Sequence, residues 1–126
     1  MNFFLIATYL SNKRIYIKGH IMRLISRLEE IIILSIWRLQ DNAYGITILE
    51  EVKRATGQSW LTGSIYASLG RLLRHGYVIS IEGEPSAERG GRRKIFYRLT
   101  PEGKQAVLAV KRVNDIIWSS LPPFEV

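Results

Sequence analysis

With 126 residues and 47% hydrophobic content, the chain has room for one folded domain and an added helix, and its composition argues against intrinsic disorder. Eighteen Lys and Arg against eleven Asp and Glu give a formal charge of +7, which favours a polyanionic partner: nucleic acid or an anionic membrane surface. Absence of cysteine excludes disulfides, iron-sulfur clusters and thiolate zinc sites, and His20 and His75 are too far apart in sequence to suggest a metal site, so no cofactor is expected.

The first residues carry an apolar run, Phe3 to Leu10, that is too short to span a bilayer and lacks the flanks of a secretory signal. Residues 1–21 are read either as a short extra element packed on the domain or as an upstream extension of a frame that starts at Met22. A membrane tether through this run is a third reading. From Leu24 to Leu39 apolar residues recur at every turn, and the spacing predicts a helix. Leu28 and Ile32 lie on this helix and are candidates for a dimer interface. From Ile31 to Trp37 the apolar residues circle the helix, which implies burial on more than one side, the second against a partner subunit.

Asp41 and Asn42 break this pattern. A shorter amphipathic helix follows, from Ile46 through Val52, and stops at Thr56-Gly57. A third helix is expected to be capped by Thr62 or Ser64, to carry Ile65, Tyr66, Leu69, Leu72 and Leu73 on its apolar stripe, and to close at His75-Gly76. Tyr77 to Glu82 and Lys94 to Thr100 read as strands, the second alternating Ile95, Tyr97 and Leu99 with Lys94, Phe96 and Arg98. The connection between them, GEPSAERGGRR, is longer than a hairpin loop of about two to five residues. Thr100-Pro101-Glu102 opens a last helix with a cap, a first-turn proline and a dipole-complementing acid, and Leu121-Pro122-Pro123 ends it.

The expected fold class is mainly α with a small antiparallel β-hairpin: a winged helix-turn-helix with N- and C-terminal dimerisation helices. Its divisions are an N-terminal extension over 1–21, a DNA-binding domain over 22–100, a dimerisation helix over 101–121 and a tail over 122–126.

The long loop is the wing of such a fold. From Glu88 to Arg98 its cations Arg89, Arg92, Arg93, Lys94 and Arg98 face one anion, Glu88, and Gly90 and Gly91 allow the backbone to approach a phosphate closely. The N-terminal part of the third helix would meet base edges, making Thr62, Ser64, Tyr66 and Arg71 candidates, although Tyr66 reads equally as a half-buried core aromatic. Tyr44 and Gly45, at the start of the second helix, would offer a hydroxyl and backbone N–H groups to a phosphate, or else serve as turn packing. In the last helix Val107, Val110, Asn114, Ile117 and Leu121 follow three-four spacing that suits a helix-to-helix seam, or packing of the helix on its own domain. Trp37 and Trp118 are candidates for lining an apolar effector pocket, with simple packing as the alternative. No paired carboxylates, activated nucleophile, metal set or phosphate-binding glycine loop can be assembled, so an enzyme is not expected.

The segments LEEIIILSIWRLQDNAYGITILEEV, TGSIYASLGRLLRHGYV and RGGRRKIFYRLTPEGKQAV resemble the PadR family of bacterial transcriptional regulators over most of the chain, from about Leu24 to Leu121. The resemblance, to the short subfamily with one C-terminal helix, implies a homodimeric winged-helix protein that binds double-stranded DNA. Such a protein is usually a repressor, with dimerising terminal helices and release by a small molecule. A cytoplasmic, nucleoid-associated location without stable membrane association is expected separately, the lack of cysteine suiting a reducing cytosol. The extension through Ile21 departs from the family pattern. The alternatives are a winged-helix protein-interaction module and a membrane-tethered regulator.

Overall fold

The computed structural model of the chain describes residues 15–17, 20–85 and 93–125. In chain order the elements are β1 (Ile15–Ile17), β2 (His20–Met22), α1 (Arg27–Leu39), a 3-10 turn (Gln40–Asn42), α2 (Gly45–Thr56), α3 (Thr62–Arg74), β3 (Val78–Pro85), β4 (Arg93–Leu99) and α4 (Pro101–Ser119). They fall into two compact units, one of Ser26–Lys104 and one combining the chain through Ile25 with Gln105–Val126. In the second of these, β1 and β2 form an antiparallel ladder with Tyr16 opposite Ile21.

Within Ser26–Lys104 the three helices α1, α2 and α3 pack around a core of Ile32, Ile33, Ile36, Ile48, Val52, Ile65, Leu69 and Leu72, closed by Val78 at the start of β3. Clustering these branched side chains away from water is the main stabilising contribution, about 1.5–3 kcal/mol for each one fully buried. The α1 helix starts at Arg27, later than the expected Leu24, because Ser26 caps it. The Ser26 hydroxyl accepts the Glu29 N–H at 3.2 Å and Glu29 accepts the Ser26 N–H at 2.9 Å, a reciprocal capping box. Ile32 is fully buried in the core of Ser26–Lys104, and Val107, in α4, is buried as well. The apolar ring around α1 does leave Leu34 and Trp37 partly exposed.

The stops of α2 and α3 follow the sequence. Gly57 takes φ +70° and donates to the Lys53 carbonyl, and Gly76 takes φ +74° after His75, conformations that glycine adopts without a β-carbon penalty. The start of α3 does not follow: Leu61 is its N-cap residue, with no side-chain cap bond, and Thr62 is already helical. Among the described residues Gln40 is the one non-glycine with positive φ, +53°, where it ends α1 and turns the chain into the 3-10 segment. The strands β3 and β4 pair antiparallel with Val78 opposite Leu99 and Ser80 opposite Tyr97, and the register shifts between Glu82 and Pro85. Thr100 caps α4 as expected, accepting the Gly103 N–H at 3.0 Å while donating to the Gly76 carbonyl at 2.6 Å. Among the described residues no helix is long and apolar enough to cross a membrane, and no cluster of His, Cys, Asp or Glu is arranged to hold a metal.

Candidate nucleic-acid interface

The start of α2 is the centre of the site. Tyr44 precedes the helix in an extended conformation, and its N–H is accepted by the Thr47 hydroxyl at 3.0 Å, which itself donates to the Asn42 carbonyl at 2.6 Å. The same segment is joined to the wing: the Ala43 carbonyl accepts the Tyr97 N–H at 2.8 Å, and Tyr44 forms an antiparallel bridge with Phe96. Their rings meet edge to face with centroids 5.5 Å apart, and the Lys94 ammonium sits 4.4 Å from the Tyr44 ring centroid.

From α3, Tyr66 reaches across to α2 and lays its hydroxyl on Gly45, in the place a β-carbon there would occupy. At 45% exposure Tyr66 is both a packing residue and a surface one. Tyr97 lies buried near it, and burial, followed by the neighbouring Tyr66, pushes its phenol above the ordinary tyrosine range, so it remains a neutral hydroxyl. Four expected residues, Tyr44, Gly45, Tyr66 and Lys94, thus come together from α2, α3 and β4. They combine hydroxyls, an ammonium group and the positive end of a helix, a set suited to a phosphate.

The other expected positions separate. Thr62 is exposed on the first turn of α3 and Ser64 is half-buried there. Arg71, expected to read bases, is engaged by its own domain: it donates to the Ser68 hydroxyl at 2.9 Å and lies 4.0 Å from the carboxylate of Glu29. A nearly buried carboxylate needs such a partner, which explains the orientation. Arg93 is exposed, 3.8 Å from Glu82. Arg89, Gly90, Gly91 and Arg92 lie outside the described residues. Leu28 is half-buried in α1, Val110 and Asn114 are half-buried in α4, and Ile117, Leu121 and Trp118 are exposed. Trp37 lines a shallow pocket of about 180 Å³ with Gln40, Asp41, Arg98 and Lys104.

Sequence reasoning passed over Trp60 and Leu61. The Trp60 indole donates to the Thr56 hydroxyl at 3.0 Å and so anchors the turn between α2 and α3. The adjacent Leu61 projects with 78% exposure.

The fold is similar to that of a PadR family transcription regulator from hypervirulent Clostridium difficile, 30% identical, with a TM-score of 0.58 over 72% of this chain and 91% of that one. It is also similar to a transcriptional regulator from Clostridium thermocellum, 24% identical, with a TM-score of 0.56 over 78% of this chain and 99% of that one. A Streptococcus mutans protein, smu.1704, has a TM-score of 0.58 at 23% identity over 82% of this chain and 98% of that one. The last two likenesses concern the fold alone. No match is found among curated proteins. The transcriptional regulator PadR-like family matches residues 33–109, which take in α2, α3, both wing strands and the first half of α4. With that match and the 30% identical relative, the chain belongs to the PadR-like family of transcriptional regulators, non-enzymatic proteins that bind DNA.

Proposed function

We propose that the chain is a repressor that acts as a homodimer on a pseudo-palindromic operator and is released by a small aromatic effector. The observation that carries DNA contact is the convergence of Tyr44, Gly45, Tyr66 and Lys94 at the junction of α2, α3 and β4. Phosphate held there fixes the register of α3 in the major groove, with the cationic wing, Arg89 to Lys94, on the neighbouring backbone. Dimerisation is supported by the apolar surface of α4 and the tail. Ile116, Ile117, Trp118, Leu121 and Phe124 are all exposed, and the Trp118 and Phe124 rings lie 6.4 Å apart. The half-exposed Trp37 supports a site for an aromatic effector. Action in the cytoplasm, on the nucleoid, goes with this reading.

Fluorescence anisotropy against the DNA upstream of the chain's own gene and against a scrambled duplex tests the reading. The upstream duplex should bind more tightly, and log K should fall by about 0.9 per neutralised phosphate for each unit rise in log salt concentration. Changing Arg92 and Arg93 together to Ala should flatten that slope. Equal binding of both duplexes would remove sequence-specific repression from the reading.

A further inference from the structure

We propose that Leu61 reads the methyl group of a thymine in the operator. The inference rests on the DNA-binding reading above and adds to it a specificity-determining residue and the base it selects.

Leu61 stands at a position where folding alone favours a different residue. As the N-cap of α3 it has φ −61° and ψ 129°, and its carbonyl accepts the N–H groups of Ser64 at 3.0 Å and Ile65 at 3.3 Å. Ser, Thr, Asp or Asn in this place would also satisfy one of the open N–H groups of the first turn with a side-chain oxygen, which leucine cannot do. Nor does its side chain gain anything by burial, since it is 78% exposed, equal to Phe124 and above every other exposed large apolar residue described. A position that forgoes a cap and shows an isobutyl group to water breaks a local rule with no gain inside the chain, so its compensation lies outside.

The surroundings say what that partner is. Leu61 begins the second helix of the helix-turn-helix, whose N-terminal residues face base edges. Trp60 before it is fixed to Thr56, and among the described residues nothing covers the leucine. Gln58, Ser59 and Thr62 around it are exposed and polar. One apolar side chain in a polar setting is far too small for a protein interface, which needs about 800 Å² on each partner. It matches the apolar feature of the major groove, the C5-methyl of thymine.

The test begins with selection of preferred duplexes from a random-sequence library by the full-length protein. Each thymine of the selected site is then replaced, one at a time, by deoxyuridine, which removes the methyl and leaves every hydrogen-bonding group. We expect one thymine per half-site at which the replacement weakens binding about fourfold, the equivalent of one buried methyl. Leu61→Ser should bind the thymine and uracil duplexes equally, and its melting temperature should equal or exceed that of the parent, since serine is a better cap. Lys94→Ala serves as the contrast: it should weaken all duplexes alike and keep the methyl preference. Tolerance of uracil at every position by the parent protein, or an undiminished uracil penalty in Leu61→Ser, would overturn the assignment while leaving DNA recognition intact. A selection that enriches no sequence would overturn sequence-specific recognition and the assignment with it.

Discussion

The Tyr66 hydroxyl occupies the volume in which a β-carbon at position 45 would lie, so glycine and tyrosine at these two positions form a single packing unit. Gly45→Ala must push the phenol out of the interface. We expect a loss of about 1–3 kcal/mol in thermal unfolding and a parallel loss of DNA affinity. Tyr66→Phe in the same chain should restore part of the stability, because it removes the clashing oxygen but leaves the ring carbon Cζ only 3.1 Å from the new methyl. Purely additive effects in this double-mutant cycle would show that the two residues do not share the space.

Gln40 holds a positive φ without the freedom of glycine, and its side-chain amide donates to the Trp37 carbonyl at 2.6 Å on the surface. Backbone strain of this kind costs on the order of 1–3 kcal/mol, while a glycine loses up to about 1 kcal/mol more on folding. Gln40→Gly should therefore raise stability by about 1 kcal/mol. Urea unfolding measures it; a midpoint at or below that of the parent would show that the amide bond outweighs the strain.

Glu51 joins α1 to α2 through cations. Its carboxylate, only 11% exposed, accepts two bonds from Arg54 at 2.6 and 3.0 Å and lies 3.1 Å from Arg38. The hydrogen bonds from Arg54 hold its pKa below the usual carboxylate range, against burial and aided by the charges of Arg54 and Arg38. A lowered folded-state pKa means that the stability is fully present above the unfolded value, about 4.3, and is lost as pH falls through the folded one. The stability difference between the parent and Glu51→Gln should be constant near neutrality and shrink below about pH 4.3. A difference that stays constant into acid would show that the carboxylate is not stabilised by its arginines.

The exposed face of α4 offers a direct test of dimerisation. Ile117 is 50% exposed, and an aspartate there would be buried unpaired if the face is covered by a second copy. Ile117→Asp should convert a dimer to a monomer in sedimentation and weaken operator binding more than tenfold, since each half-site is then bound alone, a penalty above 1.4 kcal/mol. Its melting transition should shift little if measured at a concentration where the parent is also monomeric.

Much of the fold is legible wherever the signal is local. Gly57 ends α2, and Thr100-Pro101-Glu102 opens α4, because caps and stops act on neighbours within one turn. The Ser26-Glu29 box is equally local, but the apolar run that begins at Leu24 masks it. The site is another matter. Tyr44 and Lys94 are candidates for DNA contact by their positions in the motif, yet their contact with each other depends on a bridge between distant segments. The approach of Arg71 to Glu29 is invisible from α3 alone, because Glu29 stands on another helix. Leu61 escapes notice because what marks it is a cap that is missing, and spacing rules register residues that fit them.

The bond from Tyr97 to Ala43 and the bridge from Tyr44 to Phe96 add a short third rung to the wing hairpin, with the entrance of α2 as its outer strand. The wing base and the entrance of α2 are consequently tied together through their backbones. Their relative orientation is settled when the chain folds, so DNA does not have to immobilise two hinged parts in turn. If the proposed operator contact is made here, the ordering entropy that two independent elements would surrender on binding has already been spent, and affinity depends correspondingly more on whether the duplex fits the fixed spacing between the wing base and α2.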